Sequence, residues 1–306
     1  MSANMYRRKF TPRRRASSRR SYPKRRVSGV KRRFTRRRSA MPSRKAILNV
    51  TSRKKRDTMI PVYQAAGSTS GTVGTGTVTL DAATVPTGST AHAILFMPTA
   101  RKISGSITDH QRSGPMTFMK GYKENIQLLT SNGEPWVWRR IVFTLKGDNI
   151  RDAGSTTALP HTSAGNVYNR HSLILSDNTA TGNAIQAELW DQIFAGSAGV
   201  DWNDIMSAPL ERRQITVIKD RRRILRSGNA SGTVRYIKDW IPLNKTLVYD
   251  DDEIGGFDST TNFYSTTGKP GMGDLYVLDL FRPNSFTAGS GQIGWSPTGT
   301  LYWHER

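Results

Sequence analysis

The sequence predicts an all-β body, a sandwich or barrel, carried behind a basic N-terminal arm. Three observations lead there. Residues 57–306 contain eight or nine alternating or apolar runs separated by Gly-, Pro- and Thr-rich loops, the pattern of short strands joined by turns. They show no repeat of solenoid period and no strand–helix alternation that would build a parallel sheet. Residues 1–56 hold 23 Lys or Arg and no Asp or Glu, so the other 250 residues carry 46 − 23 = 23 basic groups against 23 acidic ones. The net charge of +23 therefore lies wholly in the arm.

The arm's cations are Arg7, Arg8, Lys9, Arg13, Arg14, Arg15, Arg19, Arg20, Lys24, Arg25, Arg26, Lys31, Arg32, Arg33, Arg36, Arg37, Arg38, Arg44, Lys45, Arg53, Lys54, Lys55 and Arg56. Arginine dominates, and its planar fork of donors matches phosphate oxygens and stays charged at any cellular pH. Like charges at this density repel, and few apolar residues separate them, so the arm is expected to stay disordered until a polyanion neutralises it. Tyr6, Phe10, Tyr22 and Phe34 are spaced through it, either as incidental residues or as rings for stacking on bases. Lys31–Arg38 and Arg53–Arg56 have the form of nuclear-import signals. The arm carries far more charge than such a signal needs, which favours nucleic acid as its ligand. No amphipathic apolar face or lipidation motif accompanies the charge, so a membrane is not the expected partner.

The body is expected to begin near Asp57, the first acid. Thr58–Ala65 reads as an edge strand interrupted by Pro61, Gly76–Leu80 as a short alternating strand, and Ala91–Met97 as a buried one. Thr117–Thr130 is a longer strand with a bulge expected at Gly121. Pro135–Lys146 is the clearest: Val137, Ile141, Phe143 and Leu145 share a core face, and Trp136, Trp138, Arg140, Val142 and Thr144 share a face left for contacts. Arg139 falls on the apolar face and needs a partner if buried.

Gly147–Pro209 reads as a long connection holding one helix of about three turns, because Ile185, Leu189 and Ile193 recur every four residues and Gly196 offers a stop. Asp201–Met206 is expected to add one further turn. Strands return at Gln214–Lys219, Thr233–Ile241, Thr246–Tyr249, Leu275–Phe281 and Gln292–Trp303. In the body, Lys219, Arg221, Arg222, Arg223 and Arg226 form the one dense basic run, either a secondary DNA-facing surface or a solvated loop.

Catalytic motifs are not found. His92, His110, His161, His171 and His304 are scattered, with no helical metal-pair spacing. Gly289–Gly294 fits GxGxxG, but too little chain follows for a helix and second strand, so it reads as a turn before the last strand. Thr267-Gly268-Lys269-Pro270 has Pro where a phosphate loop needs Ser or Thr. Asp250–Glu253 lacks the ligand spacing of a calcium loop; a solvated loop, a contact with basic residues of a neighbouring subunit and a bound cation all remain open. With no cysteine there is no disulfide and no thiolate zinc site. The expectation is a non-enzymatic protein without metal or cofactor. No bilayer-spanning apolar run and no secretory signal core is seen.

Lys120-Gly121-Tyr122-Lys123-Glu124-Asn125-Ile126, Trp136-Val137-Trp138-Arg139-Arg140-Ile141 and Arg53-Lys54-Lys55-Arg56-Asp57, behind a basic arm, resemble the capsid proteins of genomoviruses, small circular single-stranded DNA viruses related to geminiviruses. The resemblance implies a single jelly roll, an eight-stranded antiparallel sandwich, that assembles into an icosahedral shell and packages circular single-stranded DNA after nuclear import. Gly147–Pro209 would then be an insertion that makes subunit contacts or outer surface. The finger-like Cys/His motif of geminivirus coat proteins has no counterpart here. A homo-oligomer of about 60 copies would bring about 60 × 23 ≈ 1,400 arm charges, which suits a genome of one to a few kilobases. The alternative is a nucleic-acid escort that coats DNA without forming a shell.

Overall fold

The computed structural model describes residues 43–60, 62–65, 74–85, 91–103, 108–150, 161–164, 167–175, 180–254, 258–259, 262–284 and 290–305. Two units are distinguished along the chain, Met1–Ala46 and Ile47–Arg306, and the β-structure belongs to the second. In chain order the elements are α1 (Arg44–Thr51), β1 (Arg53–Met59), β2 (Val62–Ala65), β3 (Gly74–Thr75), β4 (Val78–Asp81), a 3-10 turn at Ala82–Thr84, β5 (His92–Phe96), β6 (Met116–Thr130) and β7 (Trp136–Leu145). There follow β8 (His161–Ala164), β9 (Val167–Ile174), α2 (Ala180–Ile193), β10 (Thr216–Leu225), β11 (Val234–Val248), β12 (Glu253–Ile254), β13 (Asp258–Ser259), β14 (Asp274–Pro283) and β15 (Gln292–Glu305).

Sheet A runs β1–β15–β6–β11, with β4 pairing the first residues of β15. Sheet B runs β10–β7–β14–β5 and continues through β9, β2 and β3. Counting β1 and β4 as one interrupted first strand, the orders are first–eighth–third–sixth and fifth–fourth–seventh–second. All of these neighbours are antiparallel. Two four-stranded sheets in that order are a jelly roll, the expected class.

Alternation along the strands builds the core. From β6, Met119, Tyr122, Ile126 and Leu128 meet Trp136, Trp138 and Val142 of β7 and Val277 and Phe281 of β14 between the sheets. The other face of β7 presents Ile141, Phe143 and Leu145 to Ile185, Leu189 and Ile193 of α2. Sheet B is thus covered on both sides, and Asp274–Phe281 is buried throughout. The face of Trp136, Trp138, Arg140, Val142 and Thr144, expected to serve contacts, is instead the inter-sheet core.

Several boundaries differ from expectation, each for a local reason. The body begins before Asp57, because Arg53–Met59 pairs residue by residue with Glu305–Gly299. Thr58–Ala65 is not one strand: β1 joins sheet A, and β2 runs parallel to β9 in sheet B. Thr233–Ile241 and Thr246–Tyr249 belong to the single strand β11, whose register shifts between Pro242 and Lys245 where Asn244 takes φ 49°. Asp201–Met206 forms bends and turns with no helix. β8 and β9 went unread because Arg170 and His171 interrupt the apolar pattern. Both are buried, and Arg170 is paired with Asp57. The expected bulge at Gly121 is present: Tyr302 faces Gly121 while Trp303 faces Met119. The helix is there too, and Gly196 closes it at φ 78°.

An ionic cluster sits between the sheets. Arg140 on β7 pairs with Asp279 of β14 (Nη2–Oδ2 2.7 Å, Nε–Oδ1 2.8 Å), with Glu124 of β6 and with Asp239 of β11 (3.5 Å). Tyr122 Oη donates to Glu124 Oε1 (2.8 Å), Trp138 Nε1 donates to Asp279 Oδ1 (2.7 Å), and Lys219 pairs with Asp239. Burial pushes the Glu124 carboxyl up, and the Arg140 charge only partly offsets it. Removing the central cation leaves the carboxylates facing one another. Arg140→Met is therefore expected to cost about 3–5 kcal/mol, while Arg222→Ala on the exposed edge stays within about 0.5 kcal/mol; denaturant midpoints of the two variants check this.

Candidate nucleic-acid interface

The expected DNA-binding residues divide at the start of β1. Arg7, Arg8, Lys9, Arg13, Arg14, Arg15, Arg19, Arg20, Lys24, Arg25, Arg26, Lys31, Arg32, Arg33, Arg36, Arg37 and Arg38 lie outside the described residues, as do the arm's aromatics. Arg44 and Lys45 fall on α1. Arg53, Lys54, Lys55 and Arg56 are not arm but strand, and alternation sends them to opposite sides. Lys55 is buried against Glu305 (2.9 Å), with further hydrogen bonds to Gln111 O and Ser113 Oγ, both 2.8 Å. That ammonium is withdrawn from any phosphate, which corrects its assignment. Arg53 reaches Asp109 (3.0 Å), whereas Lys54 and Arg56 point outward and are exposed.

The basic run of residues 219–226 does not make one surface either. It lies on edge strand β10, where Lys219, Arg221 and Arg223 turn toward the inter-sheet side and Arg222 toward the side of α2. Lys219 is held by Asp239, and the Arg223 guanidinium lies over the Trp138 ring at 5.4 Å. Arg221, Arg222 and Arg226 remain exposed. Arg139 has the partner it required, Asp220, at 2.8 and 3.0 Å. In the acidic cluster, Asp251 binds buried Arg112 and accepts from Asn262 N (2.8 Å), so it serves this chain's own fold. Among the described residues no group of three His, Asp or Glu is placed to hold a metal.

A surface that the sequence did not reveal is the outward face of sheet A. Each of its long strands carries one acid, and all four turn away from this face. Asp57 goes to Arg101 (2.8 Å) and Arg170, Glu124 and Asp239 to Arg140, and Glu305 to Lys55. The outward positions of the same strands carry Lys54, Arg56, Lys120, Lys123 and Lys238, all exposed. The acid found outward among the described residues of this sheet is Asp81, at the far end of β4, where it caps the 3-10 turn through Ala83 N (3.0 Å). With β1 included, the body holds 23 + 4 = 27 basic residues against 23 acidic ones, and its cations are concentrated on this face. Counting composition cannot reveal this; marking inward and outward positions along β6 and β15 begins to.

Aromatic rings lie among these cations. Phe118 and His304 stand 6.1 Å apart between centroids, and Trp240 and Tyr302 stand 5.9 Å apart at 59°. Lys54, Lys120, Lys123, Trp240, Tyr302 and His304 line a shallow pocket of about 250 Å³. Partial burial, helped by the Lys54 and Lys120 charges, lowers the His304 imidazole below its ordinary value. The ring is therefore neutral near pH 7.

No protein-family description and no curated protein matches the chain. Among solved structures, an unassembled Washington University polyomavirus VP1 pentamer mutant was returned at 8% identity and a TM-score of 0.14, covering 84% of this chain and 94% of that one. Trichodysplasia spinulosa-associated polyomavirus VP1 in complex with sialylated glycooligomers was returned at 10% identity and a TM-score of 0.11, covering 83% and 76%. Similarity at this level lends the chain no role, and the fold rests on its own strand order.

The Lys55–Glu305 pair gives a pH test of the strand assignment. Burial raises the Glu305 carboxyl, but hydrogen bonds from Lys55, Ser113 and Trp303, with the Lys55 charge, outweigh it and hold it below the ordinary value of 4.5. A carboxyl lowered by folding stabilises fully above its unfolded value, and that contribution is lost as pH falls through the folded one. Stability of the wild type is expected to drop below about pH 4.5 more steeply than that of Glu305→Gln, read from denaturant midpoints between pH 3 and 7.

Proposed function

We propose that the chain is a viral capsid protein. The jelly-roll body would associate with copies of itself into a small icosahedral shell, and the basic arm would gather single-stranded DNA inside it. The observation that carries this reading is the separation of charge: an arm of cations leads into a nearly balanced sandwich that turns one cationic sheet face outward. A polyanion then has two contacts with different physics, a tether that neutralises phosphates and a fixed surface behind it.

Self-association is supported by the edges. Among the described residues β10 and β11 each pair on one side only, and Ile224, Val234 and Tyr236 are exposed along them. An open strand with apolar side chains is a natural place for another copy to meet. The reading keeps the genomovirus-like family as its particular form, a structural rather than catalytic role, and nuclear import through Lys31–Arg38. Arg53–Arg56 is a weaker import signal, since a strand paired with β15 and anchored by Lys55 is not a free peptide.

Electron microscopy of purified protein with single-stranded DNA is expected to reveal closed particles of uniform, virus-like size. A protein that stays monomeric under every assembly condition overturns the reading. Deleting residues 1–45 is expected to remove most DNA affinity and flatten its salt dependence. Within the body, Lys123→Ala is expected to leave stability within about 0.5 kcal/mol and to reduce the log–log salt slope by about 0.7, one phosphate contact on a single strand. Lys55→Met is expected to do the reverse, costing stability and sparing the slope; filter binding between 50 and 300 mM salt separates the two.

A further inference from the structure

We propose that the outward face of sheet A is a binding site for single-stranded nucleic acid, on which unpaired bases stack against Trp240, Tyr302 and Phe118 while Lys54, Arg56 and Lys123 hold the phosphates. This rests on the nucleic-acid role proposed for the chain and adds what the arm cannot supply. Arginine contacts to phosphate do not distinguish an unpaired strand from a duplex, but an exposed ring can stack only on a base that has left its pair.

Three features make the site a built one. The first is the charge: on the four long strands the outward Lys and Arg side chains face no outward acid, because each strand's acid is held inward by a buried partner. The second is the placement of the rings. Trp240, Tyr236 and Phe118 are 46%, 75% and 38% exposed, on a face that no apolar layer covers among the described residues. Register sets Trp240 beside Lys123, Tyr302 beside Arg56 and His304 beside Lys54. Cation and ring thus alternate across neighbouring strands. Tyr236 continues the series beyond Trp240, with its hydroxyl receiving a hydrogen bond from Gln127 (3.2 Å). From Phe118 to the Gln127–Tyr236 pair the track spans nine residues of β6, about 30 Å at the rise of a strand, long enough for several nucleotides.

The third feature is the absence of a side chain at Gly121. A Cβ there would lie 2.5 Å from the Trp240 ring and 2.8 Å from Ile241 O. The indole therefore packs over the β6 backbone at Gly121, beside Tyr302, and is still 46% exposed. A ring packed on one side has less side-chain freedom to lose on binding than one free in solvent. Lys123, Lys54 and Arg56 need no such support, since each extends from a paired strand.

The experiment uses the full chain and two probes of equal charge, a single-stranded oligothymidylate and a duplex, at several salt concentrations. Wild type is expected to prefer the single strand. Trp240→Ala and Tyr302→Ala are each expected to lower single-strand affinity by roughly 5- to 150-fold while leaving duplex affinity and both salt slopes in place, because stacking releases no counterions. Trp240→Phe keeps a ring and is expected to restore most of the preference. Both side chains are partly exposed, and circular dichroism checks that the variants fold. Gly121→Val, which displaces the indole, is expected to behave as Trp240→Ala if it folds; the ring variants decide the matter if it does not. Unchanged single-strand affinity in a double variant carrying both Trp240→Ala and Tyr302→Ala overturns the site while leaving the arm reading intact. Failure of wild type to bind either probe overturns both. A double variant that loses particle assembly but keeps its single-strand affinity assigns the face to a second copy of the chain and overturns the site as well.

Discussion

The fold depends on where its carboxylates go. A charge taken out of water costs several kcal/mol unless a partner and hydrogen bonds receive it, so each inward acid of sheet A requires a buried cation opposite. Arg140 meets this requirement for Glu124, Asp239 and Asp279, Lys55 for Glu305, and Arg101 with Arg170 for Asp57. Those pairs join the two sheets or the first and last strands of sheet A. They also draw the acids of the four long strands of sheet A inward, and the outward cations of those strands are left without an acid beside them on the same face. The stability of the sandwich and the charge of its surface are thus consequences of one alternation.

The same geometry decides which surfaces remain for partners. Sheet B is closed on its outer side by α2, through Ile185, Leu189 and Ile193. Among the described residues sheet A keeps one face open, and β10 and β11 keep open edges. Charged groups and Pro242 along those edges limit indiscriminate pairing, which gives Arg221 and Arg222 a structural reason to be present besides nucleic acid. A protein arranged in this way has one broad cationic surface and one flank bounded by two strand edges, and the two can serve different partners without competing.

Much of this was legible in the residues. The arm's charge, the alternation in Trp136–Leu145, the Ile185–Leu189–Ile193 stripe, the bulge at Gly121 and the need of Arg139 for a partner all follow from spacing and from the cost of burying charge. Less was legible where one residue type serves two roles. Arg53-Lys54-Lys55-Arg56 reads as a single run because sequence proximity suggests a shared environment, yet in a strand adjacent residues face opposite ways. Arg170 and His171 hide β9 because a buried cation looks, in sequence, like a surface one.

By itself the sequence determined an all-β sandwich or barrel and placed the net charge in an arm, since both follow from local period and composition. The tertiary structure alone decided that four of the arm's cations belong to the body, that Lys55 is an anchor and Lys54 a surface group, and that a nearly balanced domain has a cationic side. Each of these depends on which strand lies opposite, and that pairing is made between residues as distant along the chain as Lys55 and Glu305.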